Sequence, residues 1–100
     1  MENIHSENTK NLFKAILLLE NVDECSRFFE DICTIKELQD LTQRFQVAQM
    51  LKKGISYQEI SRQTGASTTT ISRVNRCLVY GGGGYSAILE KLKKPEVDRK

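Results

Sequence analysis

Tryptophan is absent from this chain, and proline and histidine each occur once. Long apolar runs are missing too. The densest, Ala15–Leu19, is five residues long, far short of a bilayer span. The opening ten residues carry Glu2, His5 and Glu7 where a secretory signal needs an apolar stretch, so no signal peptide is expected. Cysteine is sparse: Cys25, Cys33 and Cys77, at spacings of 8 and 44, match no zinc or redox pattern. Three thiols do not build a disulfide scaffold, and a cytoplasmic setting with no metal and no cofactor is the expectation. Disorder is a poor reading of 39% apolar against 28% charged residues. Low complexity is confined to Gly81–Gly84.

One hundred residues make a single domain with a small core. The net charge of +2 hides a strong asymmetry. Residues 1–40 hold four Lys/Arg and nine Asp/Glu, a balance of −5, whereas residues 41–100 hold eleven and four, a balance of +7. No acidic residue falls between Glu59 and Glu90, a window that contains Arg62, Arg73 and Arg76. An anion-facing second half would have this pattern, as would chance asymmetry on a solvated surface. A motif in the basic half decides between them.

Helical spacing dominates, and nothing alternates as a strand would. Leu12, Phe13, Ile16, Leu17 and Leu19 share one face of a first helix. Asp23 is placed to cap a short second helix that turns Cys25, Phe28, Phe29 and Ile32 inward. Thr34 and Glu37 have capping-box spacing and open the longest helix, with Leu38, Leu41, Phe45, Ala48 and Leu51 on one stripe and Gly54 as a left-handed cap. Ser56 and Glu59 repeat the capping box, and Gly65 stops the helix they open. After a three-residue break, Ile71, Val74 and Leu78 turn inward on a fifth helix. Gly81–Gly84 forms a joint before a last amphipathic stretch carrying Tyr85, Ile88, Leu89 and Leu92. The pattern predicts an all-α chain of six helices. It has a polar leader over 1–9, in which His5 is expected to fray, a domain over 10–93 and a charged tail over 94–100.

Gln58–Leu78 carries the function. A helix-turn-helix needs an apolar residue early in its first helix (Ile60), then a small one where the second helix crosses (Ser61). It also needs a residue tolerant of positive φ at the turn (Gly65) and two apolar anchors (Ile71, Val74), and all stand at the right offsets. Thr68, Thr69, Ser72, Arg73 and Arg76 then project from the opposite face. Short hydroxyls reach base edges or phosphates, and an arginine grips guanine with two bonds. The alternative is an αα-hairpin whose threonines are merely exposed. The agreement of offsets, missing acids and charge asymmetry favours a DNA reader.

Enzyme chemistry has little to work with: one histidine in a polar leader, thiols without a nucleophile pattern, and carboxylates mostly on the first helices. The expected function is therefore a non-enzymatic, sequence-specific DNA-binding transcriptional regulator. A helical protein-interaction module that binds no DNA is the competing expectation.

Three runs carry a family resemblance: T-I-K-E-L-Q-D-L-T-Q-R-F from Thr34, L-K-K-G-I-S-Y-Q-E-I from Leu51, and G-A-S-T-T-T-I-S-R-V-N-R-C-L from Gly65. Over roughly residues 10–93 the chain resembles the Trp repressor superfamily, in particular its YerC/YecD-like branch. The resemblance implies an intertwined, all-helical homodimer that represses from a palindromic operator in double-stranded DNA. The first, second, third and last helices would form its core and the two motif helices its flanking reading heads. It places Tyr57, Gln58 and Ser61 at the backbone or groove edge, and Ser67, Thr68, Thr69 and Ser72 against bases.

It also implies an effector pocket. The Trp repressor holds an indole between two arginines, matched here by Arg44 and Arg73, and Thr34 matches a ligand-contacting threonine. This chain departs from the pattern at Val74, where the Trp repressor has glycine, and at Cys77, where it has serine. An added isopropyl group crowds a close-packed pocket and a thiol is a poorer hydrogen-bond partner, which argues against tryptophan. Phosphate contact or a surface ion pair is the favoured use of Arg44 and Arg73, and any effector is expected to be a small molecule other than tryptophan.

Overall fold

The computed structural model describes residues 5–93; the tail over 94–100 and the first four residues of the leader lie outside that range. Within it the chain forms α1 (Glu7–Leu17), α2 (Val22–Ile32), α3 (Ile35–Lys52), α4 (Tyr57–Thr64), α5 (Thr68–Tyr80) and α6 (Gly84–Lys93), with no strand among the described residues.

A helix leaves its first N–H groups without intrahelical acceptors, and short polar side chains supply them here. Thr34 and Glu37 form a complete capping box. The Glu37 N–H donates to Thr34 Oγ1 at 3.0 Å, and the Thr34 N–H to Glu37 Oε1 at 2.9 Å. The second box is half made. The Glu59 N–H donates to Ser56 Oγ at 3.2 Å, but the Glu59 carboxylate runs along the helix to Arg62 and Gln63 instead of back to the cap.

Four boundaries differ from the sequence pattern, the first being that α1 ends at Leu17 and leaves Leu19 beyond it. Asn21, not Asp23, caps α2: its extended backbone (φ −157°, ψ 172°) brings the side-chain oxygen to the Glu24 N–H at 2.8 Å. Asp23 already lies within the first turn, where it pairs with Arg27 at 2.9 Å. The first helix begins at Glu7, inside the stretch read as leader, because Ser6 accepts a bond from the Thr9 N–H at 3.2 Å. Gly84 is helical, and the joint shortens to Gly81, Gly82 and Gly83, since the Ala87 N–H donates to the Gly83 carbonyl at 2.9 Å.

The chain divides into two compact units, one ending at Leu38 and the other starting at Gln39. In the first, neither α1 nor α2 buries a single residue. Phe28 and Phe29 meet edge to face with centroids 5.6 Å apart. The second unit holds the core: Val47, Ala48 and Met50 of α3, Ile60 of α4, Ala66 of the turn, Ile71 and Val74 of α5, and Leu89 of α6. The stripe expected on α3 is only partly realised. Ala48 is buried and Phe45 and Leu51 pack at the edge, but Leu41 is exposed while Val47 and Met50 are enclosed. A single stripe serves a helix covered on one side; the buried arc over 47–50 is wider than that.

Candidate nucleic-acid interface

The turn between α4 and α5 sets how α5 is presented. Gly65 adopts φ +77°, the left-handed conformation that closes α4, and its N–H donates to the Ser61 carbonyl at 2.8 Å. The small residue required at the helix crossing is Ser61, and its hydroxyl donates to the Ala66 carbonyl at 2.8 Å. Thr64 Oγ1 donates to the Ile60 carbonyl at 2.7 Å and accepts the Ala66 N–H at 3.1 Å. Beneath this polar turn Ile60 and Ile71 are wholly enclosed, and Val74 nearly so.

With Ile71 and Val74 facing inward, helical geometry turns the opposite side of α5 outward. Thr68, Thr69, Ser72, Arg73 and Arg76 are all exposed and together line a shallow depression of about 350 Å³. Ser67 caps the helix, accepting the Thr70 N–H at 3.1 Å. No carboxylate sits in the first turn, so the positive end of the helix dipole adds to the two guanidinium groups. The surface offers hydroxyls, backbone N–H groups and cations to an anion.

The remaining expected residues are distributed as follows. Tyr57 and Gln58 are exposed at the start of α4, outside that depression. Ser61 is half-buried, with its hydroxyl engaged in the turn. Cys77 lines a second depression of about 470 Å³ with Phe45, Tyr85, Ile88 and the glycine joint. Partial burial pushes the Tyr85 phenol up, with a further contribution from Cys77, while Arg44 pulls it the other way. Arg44 therefore acts electrostatically on the Cys77 depression, whereas Arg73 lines the α5 depression; Thr34 serves the cap of α3.

Sequence spacing missed two features. Arg62, inside the acid-free window, is bound by Glu59, whose carboxyl is held down at about 2 by hydrogen bonds from Arg62 and then Gln63. The Ser-x-x-Glu spacing that suggested a cap masks this second use of Glu59. Gln43 of α3 donates its amide Nε2 to the Thr64 carbonyl at 3.1 Å. Their separation of 21 positions along the chain leaves no local signature.

A motif with this turn, embedded between a long preceding helix and a shorter following one, has matching relatives. The sequence profile of the family described as Trp repressor protein matches residues 7–93. The chain belongs to the Trp repressor family. It is 46% identical over 98 residues to the uncharacterized protein YerC of Bacillus subtilis, covering 98% of this chain and 94% of that one, which agrees with the YerC-like branch. A solved structure of a TrpR-like protein from Eubacterium eligens superposes with a TM-score of 0.86 at 50% identity, covering 89% of this chain and 92% of its own. A structure described as a candidate Trp repressor from Staphylococcus aureus gives 0.86 at 46% identity, with 92% and 95% covered. The all-α, Trp-repressor-like fold follows from these likenesses. No helix among the described residues is long and apolar enough to cross a membrane.

Proposed function

We propose that this chain is a sequence-specific transcriptional regulator, a repressor that acts in the cytoplasm as a homodimer on a palindromic operator. The observation that carries the reading is the depression on α5, where Thr68, Thr69, Ser72, Arg73 and Arg76 stand together opposite a fully enclosed anchor, Ile71. Arg73 and Arg76 supply guanine or phosphate contacts, and Thr68, Thr69 and Ser72 the shorter contacts to bases. Ser67, the cap of the same helix, joins the base-facing set, and Tyr57, Gln58 and Ser61 approach the backbone or groove edge from α4. Two such heads in a dimer read half-sites about one helical turn apart.

The homodimer rests on exposed apolar surface. Leu17, Val22 and Ile35 are 82%, 84% and 79% exposed, and Phe13, Leu18 and Ile32 are open as well. A second copy is the partner that the family resemblance implies for this surface.

For a small effector other than tryptophan, the residues that the resemblance names are Arg44, Arg73, Cys77 and Thr34, of which Arg73 lines the α5 depression and Cys77 a separate one. Val74 is 3% exposed, so the side chain that replaces the family's glycine occupies core volume. Tryptophan is accordingly expected to leave the melting temperature unchanged, whereas any ligand selective for the folded state raises it.

Selection of bound duplexes from a random pool, followed by salt titration, tests the function. A defined palindrome should emerge, with log K falling nearly one unit per log unit of salt for each phosphate neutralised. Absence of retention on duplex DNA and heparin at low salt would leave a helical protein-interaction module as the function of this fold.

A further inference from the structure

The core beneath the motif joins α3, α4 and α5 through Val47, Ala48, Ile60, Ile71 and Val74. Interdigitated side chains of this kind favour a crossing angle but leave it a scatter of about 15–20°. A hydrogen bond loses strength over a few tenths of an ångström or a few tens of degrees, and one placed at the turn would fix that angle. The turn's own bonds do not supply it: Gly65 to Ser61, Ser61 to Ala66, Thr64 to Ile60 and Ala66 to Thr64 all begin and end within the motif. The bond from Gln43 to the Thr64 carbonyl comes from outside.

Thr64 is the last residue of α4, and its carbonyl is one of those a helix C-terminus leaves without an intrahelical donor. Three residues further on, Ser67 caps the helix that carries Thr68, Thr69 and Arg73. A rotation at Thr64 is thus transmitted through a short, fully bonded turn to the reading face. Gln43 is half-buried, so its amide is shielded in part from competing water.

We propose that Gln43 is a positioning residue for DNA recognition: by donating to the Thr64 carbonyl it sets the angle at which α5 is presented from α3. It touches no base and sharpens discrimination between sequences. The proposal rests on the reading of α5 as the DNA-reading helix. It specifies the chemistry at position 43, a side chain of about glutamine length that ends in a donor. Methionine keeps the length and loses the donor. Glutamate places an acceptor against an acceptor. Lysine restores a donor at similar reach.

The test compares the parent with Gln43→Met, Gln43→Glu and Gln43→Lys on two probes, the duplex recovered from a random pool and an unselected duplex of equal length. The ratio of the two affinities removes the sequence-independent attraction that a lysine adds. Gln43→Met and Gln43→Glu should lower that ratio about tenfold, the scale of one lost specific contact. Gln43→Lys should recover most of it, with salt slopes for Gln43→Met unchanged. A ratio within twofold of the parent in Gln43→Met overturns the proposal, and so does a loss that lysine fails to recover.

Amide exchange at Gly65 and Ala66 provides a readout independent of DNA. It should quicken in Gln43→Met and return to the parent rate in Gln43→Lys; unchanged exchange in Gln43→Met also overturns the tether. A parent protein that binds no duplex would remove the DNA reading, and with it this role for Gln43, even where the exchange data uphold the bond itself.

Discussion

Arg73 and Ile71 stand two positions apart on α5, one exposed and lining the depression, the other wholly enclosed. Arg73→Ala is expected to weaken operator binding by about 1–3 kcal/mol if it removes a bidentate contact to guanine, with the melting temperature little changed. Ile71→Ala should cost about 2–5 kcal/mol of stability by leaving a cavity under the turn, and binding then fails through unfolding. Calorimetry and a binding titration on the two variants separate reading from anchoring. Equal affinity of Arg73→Ala and parent at several salt concentrations would remove α5 as the reader. Glu59 works in the opposite sense. Its carboxyl, at about 2 against an ordinary 4.5, is depressed by Arg62, so the clamp contributes fully above 4.5 and is lost as pH falls toward 2. A carboxyl titration followed by NMR should show that low midpoint in the parent. Glu59→Gln should release Arg62, tighten binding to unselected duplex and steepen its salt dependence; an unchanged slope would mean that Arg62 never reaches phosphate.

At the scale of elements, the glycine joint is the most position-sensitive segment. A Cβ built on Gly81 would come within 2.4 Å of the Cys77 carbonyl oxygen, the acceptor that closes the last turn of α5. Gly82 has open space around it. Gly81→Ala should therefore lower the melting temperature measurably, while Gly82→Ala leaves it level or raises it slightly through the unfolded chain. Equal melting of the two variants would show that the backbone shifts freely there. Much of this layer is legible from residues alone because its chemistry is local. Thr34 with Glu37, Gly65 at the turn, and Ile60, Ile71 and Val74 beneath it all follow from spacings of a few residues. The misplaced features depend on geometry that spacing does not carry. Asn21 and Asp23 are equally good caps by composition, and backbone conformation decides between them. Val47 and Met50 are buried by what packs around α3, and Gln43 finds Thr64 only after the chain has folded back.

Over the whole molecule, burial and charge are unevenly shared. The acidic first part of the chain contains two helices that enclose nothing, and the basic second part contains the core and the α5 depression. Sedimentation at micromolar concentration should find a dimer, and a monomer there would dismiss the intertwined assembly. The consequence extends to how such a protein responds to its own abundance. In the proposed homodimer, helices that bury nothing within one chain would draw their stability from the partner, and folding and assembly would become one bimolecular equilibrium. The melting temperature should climb as the protein is concentrated. For such a dimer at low copy number, halving the amount of chain would cut the number of complete two-headed readers by close to fourfold when most chains are unpaired, and a promoter under its control would feel dosage as a square rather than a proportion.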